Sequence, residues 1–295
     1  MLRKGDLTQG GITGTLLHFT LPMLVGSFLQ QCYNIADTLI VGQCIGAGAL
    51  AAVGSAYTLM VFLISVLLGL AMGSGTVFSL HYGAGNHVAL RRSIFSSFAL
   101  IGIVTLILNV VVFIWLDPIL RLLQVPQDIY GMMRSYLWII FCGIVFTFIY
   151  NFYASLLRAV GDSVTPLWFL AVSVVLNIAL DLFFILQLDW GIQGAAAATV
   201  LAQGVAALGI IIYTYRRRPE LRWHHEDMCF DRTCLKEIAS FSTLTCVQQS
   251  VMNLGILMVQ GLVNSFGTAV MAAFAAAVKI DSCLLYTSDA AGRYA

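Results

Sequence analysis

Long apolar runs separated by short polar turns organise this chain from end to end. Runs cover residues 15–42, 51–80, 94–116, 131–156, 165–187 and 192–215, each about the 20 residues or more needed to cross a roughly 30 Å hydrocarbon core. A basic, His-containing stretch from Arg216 to Lys236 follows, then a seventh run over 238–263 and an eighth that begins near Gly267. The pattern predicts an all-α integral membrane protein. Its parts are an amino-terminal six-helix transmembrane bundle (1–215), a loop (216–236) and one to two helices of a second unit (237–282). A transmembrane β-barrel would instead alternate polar and apolar residues in short strands.

Polar positions inside the runs recur at helical spacing. Residues three, four and seven apart share one face of a helix, which groups Gln30, Asn34 and Asp37 on the first span. Ser173, Asn177 and Asp181 form an i, i+4, i+8 row on the fifth, and Thr199 and Gln203 lie one turn apart on the sixth. Lipid cannot satisfy such rows, so they must point into the bundle. A carboxylate at the bilayer centre costs roughly 2.5–3.5 kcal/mol on insertion scales, which makes Asp37 and Asp181 the leading candidates for function. Asp37, Asp181 and Thr199 also fall at similar depth when the spans are threaded alternately through a membrane.

Two carboxylates in one poorly solvated pocket do not both stay charged unaided: one takes a proton, or a cation sits between them. Carboxylate, amide and hydroxyl oxygens suit a hard cation such as Na⁺. The rows therefore predict a coupling-ion site for Na⁺ or H⁺; structural Asp–Asn contacts between helices are the alternative. Pro22 removes one backbone hydrogen bond within the first span and permits a bend there.

Composition agrees with the pattern: 60% of the 295 residues are hydrophobic and 10% charged, with mean hydropathy +0.91, against about 25% charged in soluble domains. The net charge of +1 says little, but its distribution sets orientation. Arg3, Lys4, Arg91, Arg92, Arg158, Arg216 to Arg218, Arg222, Arg232 and Lys236 fall on one side, and Arg121 and Arg134 on the other. That bias predicts a multi-pass protein of the cell membrane with a cytoplasmic amino terminus and 216–236 loop. No cleavable signal peptide is expected, because the first apolar run is too long and lacks a small-residue cleavage site.

Seven cysteines, several of them inside spans, do not suggest a disulfide framework. His224, His225, Cys229 and Cys234 have ligand chemistry but no standard zinc spacing. Arg216 to Arg218 read as an anchor at anionic headgroups. No bound metal beyond Na⁺, no cofactor, no nucleic acid and no obligate protein partner is expected. Gln30-Gln31, Gly42 and Leu50-Ala51-Ala52-Val53 find a faint echo in Gln248-Gln249, Gly261 and Met271-Ala272-Ala273-Phe274, as parallel repeats in transporters do. Residues 283–295 abandon the helical pattern within a span and read as a non-native tail.

The chain resembles the multidrug and toxic compound extrusion (MATE) family over about residues 5–282. The resemblance rests on Leu21-Pro22-Met23 through Tyr33-Asn34-Ile35-Ala36-Asp37, Leu50-Ala51-Ala52-Val53-Gly54, Arg158-Ala159-Val160-Gly161-Asp162, Asn177-Ile178-Ala179-Leu180-Asp181 and Gly194-Ala195-Ala196-Ala197-Ala198-Thr199. It implies a transporter of twelve spans in two six-helix lobes, with a Na⁺ or proton site in the amino-terminal lobe at Asp37, Asn177, Asp181 and Thr199. It also implies a bend at Pro22. The activity implied is cation-coupled antiport, exporting small organic compounds that are often cationic or amphipathic. No enzymatic activity or catalytic residue follows from it. Two departures are visible: the seventh span has no acidic residue, and Leu244 stands where a proline is usual.

A lipid-linked oligosaccharide or polysaccharide flippase of the same superfamily is the nearest alternative, but it would line its cavity with cations, and only Lys279 in the eighth span qualifies. An intramembrane aspartyl protease would need a Gly-x-Gly-Asp context. The closest string, Ala159-Val160-Gly161-Asp162, lacks the first glycine and reads as a loop bend or helix cap.

Overall fold

In a computed structural model, which describes residues 12–223 and 232–278, the apolar runs form nine α-helices among the described residues. They are α1 (Ile12–Cys44), α2 (Ala47–Gly83), α3 (His87–Leu122), α4 (Gln127–Cys142), α5 (Ile144–Ala159), α6 (Val164–Leu182), α7 (Gly191–Arg217), α8 (Arg232–Asn264) and α9 (Thr268–Val278). Arg3, Lys4, His224, His225, Cys229, Lys279 and the 283–295 tail lie outside the described residues.

The bundle is built around α2, which packs against α1, α3, α4, α5 and α8, while α7 packs against α4, α5 and α6. Between α2, α3 and α5 the core is aromatic: Phe98 lies 5.3 Å from both Phe148 and Phe152, and Phe78 lies 5.9 Å from Phe152. Asn86 caps α3 by accepting from Ala89 N at 3.1 Å, and Asp162 caps α6 by accepting from Thr165 N at 3.0 Å. The expected capping role of Asp162 is thus met.

One span differs from the sequence expectation. The single span expected over 131–156 is broken: α4 and α5 meet at Gly143 with a bend of 49°. A Cβ at Gly143 would fall 2.5 Å from Val200 Cγ2, so only glycine admits this approach to α7. The break would orphan a carbonyl, and the α3 side chain Asn109 donates to Phe141 O at 2.6 Å to satisfy it. Among the described residues, five helices are long and apolar enough to cross a membrane, or six when the bent pair counts as one span. Helix α1 continues through Pro22 without a break.

Helix α8 lies along α2. At one end Gln260 Nε2 donates to Ser55 Oγ at 2.7 Å and Asn264 Oδ1 at 2.9 Å, and Asn264 Nδ2 donates to Leu123 O at 2.9 Å. Thr58 Oγ1 donates to Gln260 Oε1 at 3.2 Å, so both amides are used on both atoms. Toward the other end the backbones nearly touch: a Cβ at Gly69 would fall 2.7 Å from Cys246 Cα, and one at Gly73 2.5 Å from Ser242 Cα. Close approach of this kind lets membrane helices gain dispersion contacts that larger side chains would block. Gly73→Leu should therefore lower the stability of the purified chain by about 1–3 kcal/mol through overpacking. Gly83→Leu, where a Cβ meets nothing within 4 Å, should cost less. A denaturant titration in detergent measures both, and equal midpoints would contradict the packing account.

Candidate functional site

Three helices bring the polar rows together. Asp37 lies seven residues before the end of α1, Thr199 eight residues after the start of α7, and Asp181 six residues before Gln187, where the π-helical turn continuing α6 ends. At 1.5 Å per residue each lies about 9–12 Å from the same end of the bundle. Equal depth is what a shared site requires. The π-helical turn, Phe183–Gln187, directly follows Asp181 and Leu182, and such turns recur at functional sites.

Asp181 is fully buried and Asn177 1% exposed. The Asn177 amide nitrogen faces Asp181 Oδ2 at 2.9 Å and its oxygen faces Thr199 N at 3.2 Å. With the amide turned over, Nδ2 would lie 3.3 Å from Thr199 Oγ1, but two acceptor oxygens would then oppose each other at Asp181. The first orientation is favoured for that reason. Thr199 Oγ1 donates to Ala195 O at 3.0 Å and lies 3.4 Å from Tyr33 Oη, so the tyrosine is the donor in that pair. A continuous polar line therefore runs from Tyr33 on α1 through Thr199 on α7 and Asn177 to Asp181 on α6.

Among the described residues, Asp181 Oδ1 and Gln203 Oε1 are buried oxygens that accept no hydrogen bond. Buried acceptors of this kind are uncommon, and each calls for a physical reason such as an ion or proton. Asp37 and Asp181 are also close enough to act on each other electrostatically, and both act on Tyr33 and Tyr136.

The two carboxylates differ in access. Asp37 lines a cavity of about 320 Å³ between α1, α2, α4, α5 and α7, whose polar wall includes Gln31, Asn34 and Tyr136 and whose opposite wall includes Met60, Ile64 and Leu68. Asp181 lines no such space. It sits behind Asn177, which with Ser173, Thr199 and Gln203 walls a smaller cavity of about 80 Å³. Gln30, Tyr33, Asn151, Thr199 and Gln203 line both cavities and form the partition between them. All eight polar-row residues thus converge, Asp181 as the buried member and Asp37 as the open one. Pro22 lies apart, on a third cavity nearer the start of α1.

Sequence reasoning missed Tyr33, Tyr57, Tyr136 and Asn151. Tyr57 lines the larger cavity with Asn34, and Asn151 lines both cavities while donating to Thr147 O at 2.8 Å. A signal for Asn151 was present: Thr147, Asn151 and Ser155 form an i, i+4, i+8 row on α5. The tyrosines carried none, since an aromatic residue in an apolar helix reads as packing.

A protein-family model described as MatE matches residues 22–183. The probable multidrug resistance protein YpnP of Bacillus subtilis (strain 168) is 32% identical, over 99% of this chain and 65% of that protein. The multidrug export protein MepA of Staphylococcus saprophyticus is 31% identical over 68% of this chain and 45% of that protein. Among solved structures, the Vibrio cholerae MATE transporter VcmN in its bent form superposes with a TM-score of 0.77 at 26% identity. That match covers 92% of this chain and 63% of VcmN. This chain therefore spans about two thirds of the length of such relatives or less. The match covers the helices that carry Asp37, Asn177 and Asp181, and with it the broken fourth span. The chain belongs to the MatE family.

Proposed function

We propose that this chain forms the amino-terminal lobe and the start of the second lobe of a cell-membrane antiporter. In this reading, inward movement of Na⁺ or H⁺ drives export of an organic, often cationic or amphipathic, compound. The names of its relatives, a probable multidrug resistance protein and a multidrug export protein, support that substrate class. The distribution of lysine and arginine supports a cytoplasmic amino terminus. The flippase and protease alternatives gain no support from the same relatives.

One observation carries the proposal: Asp181 is fully buried with one carboxylate oxygen accepting no hydrogen bond, next to Asn177 and Thr199 and within electrostatic reach of Asp37. In our reading the cation or proton is held by Asp37, Asn177, Asp181 and Thr199, with Gln30, Asn34, Ser173 and Gln203 completing the polar lining. No cofactor takes part. Asp37 would then serve two ligands, since its carboxylate also faces the larger, partly aromatic cavity. A cation at the site neutralises charge that an organic cation in that cavity would otherwise use, so each weakens the other. Linkage makes that antagonism reciprocal, and mutual exclusion is what antiport needs. The Tyr33–Thr199 contact gives a path by which filling one compartment shifts the wall of the other.

Asp181→Asn and Asp37→Asn should each lower cation affinity roughly 100-fold, the scale expected when one partner of a buried charged site is removed. Both should leave insertion and folding intact. Titration calorimetry of the purified chain with Na⁺, repeated across pH, measures the affinity. Export of dyes from vesicles under separate sodium and proton gradients measures coupling, with the chain joined to the second lobe of a relative such as YpnP. Unchanged binding and unchanged export in either variant would remove the site assignment.

Thr199→Ala removes a single neutral ligand. Its expected cost is about 1 kcal/mol, or roughly fivefold in cation affinity. A loss as large as that of Asp181→Asn in the same titration would mean that Thr199 is a principal ligand, contrary to this ranking.

A further inference from the structure

Arg158 stands in the last turn of α5, where a cation complements the helix dipole. Its guanidinium carries five donors, yet among the described residues it makes no hydrogen bond and no ion pair. The nearby acid is already committed. Asp162 accepts from Thr165 N at 3.0 Å and Thr165 Oγ1 at 2.8 Å, and it pairs with Arg218 at 3.4 Å.

Beside Arg158 lies an open cavity of about 340 Å³ between α1, α5 and α6. Its polar walls include Ser27, Gln30, Gln31, Asn151 and Ser163, its apolar floor includes Met23 and Leu167, and no carboxylate lines it. Helix α6 begins at Val164, so the positive end of its dipole lies at the same mouth, its Thr165 amide already taken by Asp162. The volume falls within the roughly 300–1,000 Å³ that ordinarily holds a small organic group. On the flanks, apolar side chains face outward: Leu21 is 52% exposed, Val164 40% and Trp168 68%. A cation above, with apolar faces alongside, complements an anionic head on hydrocarbon chains. The position at helix ends matches headgroup depth.

The geometry points to a site for the phosphate of an anionic phospholipid, held by Arg158 between α1, α5 and α6, with acyl chains along Leu21 and Trp168. Arginine suits the task because its planar fork binds two phosphate oxygens at once. The site adjoins the polar rows, sharing Gln30 and Asn151 with the two cavities there, but Arg158 lines neither of them and the assignment does not depend on the reading of transport. Lipid bound there would brace the Pro22 region of α1 against the start of α6.

Native mass spectrometry of the purified chain, released from detergent with phosphatidylglycerol or phosphatidylcholine added, tests the assignment. Wild type should retain phosphatidylglycerol at least fivefold over phosphatidylcholine. Arg158→Gln should erase the preference, and Arg158→Lys should keep part of it. Ser27→Leu, which fills the cavity from the α1 side without altering charge, should also reduce retention. Arg217→Gln, a surface charge beyond the cavity, should leave it unchanged. Preference retained in both Arg158→Gln and Ser27→Leu would overturn the proposal, as would an equal loss in Arg217→Gln, which would indicate diffuse surface attraction. Displacement of the lipid by an equimolar amount of inorganic phosphate would reassign the site to a soluble anion and overturn the lipid assignment. Persistence of the lipid under millimolar phosphate supports it.

Discussion

Hydrocarbon offers no hydrogen bonds, so every polar group that enters it must find a partner inside the protein. That requirement explains why α1, α6 and α7 meet as they do. Each carries a polar row that no lipid can satisfy, and the rows are satisfied by one another: Tyr33 reaches Thr199, and Asn177 spans Thr199 and Asp181. The same rule governs the α4–α5 break, where Asn109 reaches from α3 to the freed carbonyl of Phe141. It governs the α2–α8 contact too, where Gln260 and Asn264 use all of their amide atoms on α2, on each other and on Leu123. The unpaired buried oxygens on Asp181 and Gln203 are informative because Asn177 and Thr199 between them are paired.

Packing density then separates fixed from adjustable regions. Between α2, α3 and α5 the interlocked aromatic rings leave little room for movement. Along α2 and α8, Gly69 and Gly73 bring the backbones into contact, while a ring of side-chain hydrogen bonds closes the far end. Interhelical hydrogen bonds in membranes average about 0.6 kcal/mol, so such a contact is specific in geometry without being costly to exchange for water. By contrast, the cavities are walled by α1, the bent α4–α5 pair, α6 and α7, with α2 closing one side of the larger. Space for ligands thus occurs where the helices are interrupted or polar, and the rigid aromatic core lies behind it.

Periodicity alone determined a good deal. Runs of apolar residues set the order and placement of the spans, because spanning length is a property of the chain and the bilayer together. The rows Gln30–Asn34–Asp37, Ser173–Asn177–Asp181 and Thr199–Gln203 were legible because helical geometry puts such residues on one face whatever the tertiary arrangement. The cap at Asp162 was legible because its chemistry is local.

What only the tertiary structure decided depends on neighbours distant in sequence. Gly143 stands at the break of the fourth span, where a Cβ would run into Val200 of α7, and nothing within 131–156 announces that neighbour. Tyr33 and Tyr136 join the polar site because α1 and α4 face α6 and α7; in isolation each tyrosine is one more aromatic residue in an apolar helix. The division of labour between the carboxylates, Asp181 enclosed and Asp37 facing a cavity, was equally invisible. A helix fixes which residues share a face, but burial depends on what packs against that face, and only the assembled bundle supplies it.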